Sequence, residues 1–177
     1  MEDWEYEARQ TELQKGLAGH FLQDDYNAFI TLTFTSEDSV SYDYAEETFG
    51  RFMHALRCSL FKERCTYRMP LVPVVESYPG RPLCSGAPYD PIERTHIHCC
   101  IKLPGNPLDH KELVRKKWLG AGGVCGDPNV YDRNGDRWFI EIATPAVMRK
   151  YVNYSLKQCC SDTQPVLWNF ARKIRTA

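Results

Sequence analysis

No apolar run in this 177-residue chain approaches the roughly 20 residues that a helix needs to cross a bilayer. A membrane-spanning role is therefore not expected. Neither sign of charge is in excess: 22 Lys and Arg face 23 Asp and Glu, for a formal net charge of −1. That argues against a polycation coating nucleic acid over its whole surface, while leaving room for a local basic groove. The eight cysteines, at 58, 65, 84, 99, 100, 125, 159 and 160, include no C-x-x-C pair. The spacing of a structural zinc site is thus missing. Cys99 and Cys100 are neighbours on an expected strand and point to opposite faces, so they do not jointly grip one ion. Reduced, partly buried thiols are the expectation. The opening residues Met1-Glu2-Asp3-Trp4-Glu5 lack the basic-then-apolar layout of a secretory leader, and this predicts a cytoplasmic protein. Internal repeats and low-complexity tracts are missing too. The hydrophobic and charged fractions, 43% and 25%, are those of an ordinary globular chain, and the length suits one domain over residues 1–177.

Periodicity divides the chain into elements. Residues 3–24 are polar with scattered apolar positions, so 1–25 is expected to be a short helix or a less ordered arm. Asn27 to Thr35 is dense in aromatic and β-branched residues; Ile30, Leu32 and Phe34 share one face, and Phe29, Thr31 and Thr33 the other. From Tyr44 to Cys65, Phe49, Phe52, Met53, Leu56, Leu60 and Phe61 recur at helical steps, with His54 as a core-edge residue. Leu71 to Tyr78 reads as a strand in which Pro73 marks an edge or a bulge. Residues 79–93 form a turn-rich connector. Arg94 to Leu103 is the next strand, closed by Pro104-Gly105. Asp109 to Leu119 is an expected helix with Asp109 as N-cap and Leu113, Val114 and Trp118 inward. Asn129 to Tyr131 and Arg137 to Ile142 read as strands joined by a turn at 132–135. Thr144-Pro145 starts a final helix that runs to Gln158. The tail, 161–177, docks through Val166, Leu167, Trp168 and Phe170. The order β-α-β-β-α-β-β-α predicts an α+β fold, a central antiparallel sheet of about five strands flanked by helices.

Within this frame one pattern carries chemistry. His96 and His98 stand two apart on a strand and project to the same face, a pair of ligands for a divalent metal, with Ile97 on the other side. An antiparallel pairing with the preceding strand brings Glu76 toward them. Glu76 reads either as a solvated carboxylate or, because it interrupts an apolar run, as a partnered one. On the last helix Tyr151, Tyr154 and Lys157 follow at three-residue steps and share a face. A phenol is a poor nucleophile near neutral pH, and attack on phosphorus needs a nearby cation and a polarised electrophile. The basic runs at Lys111 to Lys117, Arg149-Lys150 and Arg172 to Arg175 read by themselves as solvated faces.

Phe29-Ile30-Thr31-Leu32-Thr33-Phe34, His96-Ile97-His98 and Tyr154-Ser155-Leu156-Lys157 follow one another within roughly residues 27 to 158. In that order they resemble the motif 1 strand, the His-hydrophobic-His motif and the Y-x-x-K motif of the HUH endonucleases. The likeness is greatest to rolling-circle replication initiator (Rep) proteins of phages and plasmids. The resemblance implies a HUH/Rep-like sheet of ferredoxin-like or RRM-like type. It implies a metal-dependent nickase and ligase that cuts one DNA strand at an origin. His96 and His98 would be metal ligands, the third ligand mapping best onto Glu76, with Mn²⁺ or Mg²⁺ as cofactor. Tyr154 would attack the scissile phosphate, leaving a 5′-phosphotyrosine and a free 3′-hydroxyl, and Lys157 would position DNA or stabilise the phenolate. Tyr151 remains open as a second nucleophile, a DNA-stacking residue or a structural one, since paired tyrosines in such proteins are commonly four apart.

Thr31, Thr33, Arg149 and Lys150 would contact DNA. Expected partners are single-stranded or origin-hairpin DNA and, because no helicase segment follows within the chain, a host helicase and polymerase, in a bacterial cell. A transposase or mobilisation relaxase with the same site is the nearest rival; relaxases usually carry a third histidine near the pair, and none lies within ten residues of either. A non-catalytic DNA-binding accessory protein is the alternative from another class.

Overall fold

The β-branched and aromatic run Ala28–Phe34 (β1) lies inside the sheet and pairs along both of its edges. The computed structural model describes residues 10–35, 40–62, 69–78, 94–122, 128–130, 137–157, 159 and 165–171. Helix α1 (Glu12–Phe21) precedes β1, and α2 (Tyr42–Phe61) follows it. Then come β2 (Leu71–Tyr78), β3 (Arg94–Ile101), a 3-10 turn (Pro107–His110), α3 (Lys111–Leu119), β4 (Pro128–Asn129), β5 (Phe139–Glu141) and α4 (Pro145–Ser155). The five strands form one antiparallel sheet in the order β2-β3-β1-β4, and β5 shares with β4 the edge of β1 that β3 does not use. The fold is α+β, as the element order predicts.

Alternation sorts side chains to two cores. Ala28, Ile30 and Leu32 of β1 and Ile97, Cys99 and Ile101 of β3 pack against Phe49, Phe52, Met53 and Leu56 of α2 and Val114 and Trp118 of α3. Trp118 is fully buried, and its indole N–H donates to the carbonyls of Thr33 (3.1 Å) and Asn129 (2.8 Å), so its polar atom is satisfied. On the other face Phe29, Val72, Val74 and Cys100 pack against Ala18 and Phe21 of α1, Val152 of α4 and Leu156 just beyond it. Cys99 and Cys100 thus point to opposite cores, and both are free thiols. Pro73 sits on the outer strand; its carbonyl accepts from Leu167 N at 2.9 Å while Val75 N donates to Pro165 O at 2.8 Å. The edge of β2 is covered by the tail, and Val166 and Leu167 are buried as expected.

The residues before β1 include a regular helix, one of the two readings expected there, started by a capping box between Thr11 and Gln14. Several boundaries differ from the sequence reading. Helix α2 begins two residues earlier than expected, with Ser41 as its cap, and leaves helical geometry at Lys62 (φ 50°). His54 is exposed, not at the core edge. Asp109 is not an N-cap: Asn106 accepts from Leu108 N at 3.2 Å and starts a 3-10 turn, with Pro107 at its first position. β4 stops at Asn129, and the next N–H, of Val130, donates to the Asn129 side chain at 2.8 Å rather than to a strand partner. The connector at 79–93 and the turn at 132–135 lie outside the described residues. No helix of the described residues is long and apolar enough to cross a membrane.

Candidate metal centre

Strand register assembles the centre. In the β2–β3 ladder Glu76 lies opposite His96, and in the β3–β1 ladder His96 lies opposite Thr33. One row along, Val74, His98 and Thr31 face one another. Glu76, His96 and His98 therefore project from the same face, where directly opposed side chains stand within reach. Glu76 Oε2 is 2.8 Å from His98 Nε2 and 3.1 Å from His96 Nε2, and the two Nε2 atoms are 3.1 Å apart. The Glu76 and His98 side chains are only 2% and 5% exposed, and His96 is 12% exposed.

This donor set fits a divalent cation. Two imidazole nitrogens and one carboxylate oxygen suit several such ions, and three protein donors leave positions for water or a substrate oxygen. Ligands at right angles about 2.1 Å from an ion such as Mg²⁺ stand about 3 Å from each other, which is the spacing found. The group could hold a metal ion and is the one such cluster among the described residues. Burial favours the ligating form of His98. Desolvation lowers its pKa from the ordinary 6.5 to about 4, opposed by its hydrogen bond to Glu76 and helped by the nearby His96. The ring is neutral at physiological pH, as a ligand must be.

Helix α4 lies over the same face. Its start was legible: Thr144 Oγ1 accepts from Val147 N at 3.3 Å and Pro145 takes the first position. The helix ends at Ser155, and Lys157 lies in the turn beyond it. Tyr154 is 41% exposed, and its ring meets that of His98 edge-on, centroids 5.0 Å apart. Tyr151 is half-buried and stacks on Phe29 at 4.5 Å. Lys157 Nζ is 3.0 Å from Glu76 Oε1 and 3.7 Å from the Tyr154 ring centroid. One ammonium thus touches both the Glu76 carboxylate and the face of the exposed tyrosine.

The remaining residues singled out from sequence separate into two groups. Thr31 turns its hydroxyl to His98, with Oγ1 3.1 Å from Nδ1, and Thr33 is half-buried on the same strand face. Arg149 and Lys150 are exposed on α4, the helix that carries Tyr151 and Tyr154. Two contributors were not singled out. Phe29 is 3% exposed and supports three rings at once: His98 (5.3 Å), Tyr151 (4.5 Å) and Tyr154 (6.0 Å). Its place on the Thr31 face was readable from alternation. Gln14 of α1 donates from Nε2 to the carbonyls of Leu156 (3.3 Å) and Lys157 (3.0 Å). Nothing local signals a contact across more than 140 residues.

Comparison of the chain with protein-family models, with curated proteins and with solved structures gave no match.

Proposed function

We propose that this chain is a metal-dependent DNA nicking and joining enzyme of HUH type, with Tyr154 as nucleophile. The observation that carries the reading is the convergence of Glu76, His96 and His98 beside the exposed Tyr154 and its neighbour Lys157. A phenol of ordinary pKa, about 10, is ionised in roughly one molecule per thousand at neutral pH, which costs about 4 kcal/mol. Lys157 puts the cation that such a nucleophile needs close by, its ammonium 3.7 Å from the Tyr154 ring centroid. The Tyr154 oxygen attacks the scissile phosphorus, the bond to the 3′-oxygen breaks, and that oxygen leaves and takes up a proton. The 5′ end stays on the protein as a phosphotyrosine. Attack by a second 3′-hydroxyl reverses the step, rejoins the strand and frees the phenol. A bound Mn²⁺ or Mg²⁺, held by Glu76, His96 and His98, supplies Lewis-acid polarisation of the phosphate.

Tyr154 is preferred to Tyr151 because its ring is exposed and lies against His98, whereas Tyr151 stacks on Phe29. In this reading the substrate is single-stranded or melted origin DNA, the fold is Rep-like, and the biological role is initiation of rolling-circle replication with a host helicase and polymerase. Arg149 and Lys150, exposed on the same helix, would meet the phosphate backbone.

The test is a denaturing gel of protein incubated with single-stranded origin-hairpin oligonucleotides and Mn²⁺. A metal-dependent protein–DNA adduct should form with the natural chain, and Tyr154→Phe should abolish it while still binding metal. If Tyr151→Phe alone removes the adduct, the nucleophile is Tyr151. No adduct with any oligonucleotide, from a chain shown to bind metal, would overturn the nicking reading.

A further inference from the structure

We infer that Thr31 is a positioning residue for the metal ligand His98, rather than only part of a DNA-holding strand; the inference rests on the metal-centre reading above. Thr31 N donates outward to Trp138 O at 2.7 Å, away from β3. Thr31 and His98 are therefore a cross-strand pair without mutual backbone hydrogen bonds, the type whose side chains stand closest. That closeness puts Oγ1 3.1 Å from Nδ1. Threonine is stiff at χ1, so the strand itself aims the hydroxyl.

Contacts divide the His98 ring between two jobs. Nε2 faces Glu76 Oε2 at 2.8 Å and His96 Nε2 at 3.1 Å, while Nδ1 faces Thr31. A cation on Nε2 obliges the ring proton to sit on Nδ1, and Thr31 Oγ1 is then its acceptor. Without a cation, Nε2–H can donate to Glu76, and the Thr31 hydroxyl turns round to donate to Nδ1. One hydroxyl serves both states because it both donates and accepts. With His98 95% buried, water is a poor substitute. Partners of this kind on a ligating histidine typically change metal affinity by about 10–100-fold.

The experiment measures Mn²⁺ affinity by electron paramagnetic resonance of the free ion, without DNA, for the natural chain, Thr31→Val and Thr31→Ser. Valine keeps the shape and removes the hydroxyl, whereas serine keeps the hydroxyl. Circular dichroism checks that each variant is folded. Binding should weaken about 10–100-fold in Thr31→Val and stay within about threefold of the natural value in Thr31→Ser. Equal affinity in Thr31→Val overturns the inference and leaves the metal centre standing. So does equal weakening in both variants, which would assign the effect to packing. A natural chain that binds no Mn²⁺ overturns the metal centre and this inference together. If Thr31→Val binds Mn²⁺ normally but fails to cut DNA, Thr31 serves the DNA strand instead, and the inference is wrong.

Discussion

Glu76 concentrates the electrostatics of the site in one side chain. It is 2% exposed, and a carboxylate so deeply buried persists only with partners: here Lys157 on one oxygen, at 3.0 Å, and two imidazoles on the other. Glu76→Ala should abolish metal binding and destabilise the metal-free protein by about 3–5 kcal/mol in urea unfolding, because it strips a largely buried lysine of its carboxylate. His98 gives a pH dependence with a definite sign. Its folded pKa, about 4, lies below the ordinary 6.5, so between these values the unfolded chain binds the extra proton and the folded one does not. Stability from this group is full above pH 6.5 and falls as pH drops toward 4, by at most about 3 kcal/mol. Denaturation of metal-free protein at pH 7 and pH 4.5 measures it, and His98→Gln should flatten the difference. Two thiols make a further residue-scale prediction. Burial pushes Cys100 up to about 12 and Cys99 well above its ordinary value, so neither forms thiolate in the native state. Iodoacetamide should leave both unmodified until denaturant is added, as peptide mapping would show.

At the scale of elements, the telling contact is between the first and last helices. Gln14 closes the start of α1, accepting from Thr11 N at 2.9 Å, and the same amide donates to the Leu156 and Lys157 carbonyls in the turn that ends α4. Helix α1 is thereby a strap on the helix that carries Tyr154 and leads into Lys157. Gln14→Glu isolates the second role, since glutamate also serves a capping box but offers no donor to Leu156 or Lys157. It should cost about 1–3 kcal/mol in thermal or urea unfolding, for a buried and a partly buried carbonyl left facing a carboxylate. A cost near zero would mean that the strap is held by Ala18 and Phe21 alone. The start of α3 shows how a sequence signal can be misread. Asp109 looked like a cap, but the Asn106-Pro107 pair, a turn signal in its own right, started the 3-10 turn first.

Over the whole molecule, the sheet separates two tasks. One face carries the larger apolar core under α2 and α3, and the other shares a smaller core with the candidate metal centre beneath α1 and α4. Because Glu76 comes from β2 and His96 and His98 from β3, an ion bound there would join the two strands and stabilise only the folded chain. Divalent metal at about 100 times its dissociation constant should add about 2.7 kcal/mol, a rise in Tm of roughly 5–10 °C that a chelator reverses. Unchanged melting at saturating Mn²⁺ would count against the centre. The sequence by itself determined the strands, the helical stripes and the shared face of His96 and His98, because alternation and the 3.6-residue period act over neighbouring residues. It also determined the start of α4, through Thr144 and Pro145. Only the tertiary structure decided that Glu76 stands opposite His96, that Thr31 turns to His98 Nδ1, that Lys157 bridges Glu76 and Tyr154, and that Gln14 reaches α4. Those contacts depend on strand register and on packing between segments 20 to more than 140 residues apart. Local propensity carries no information about which distant residue will arrive opposite.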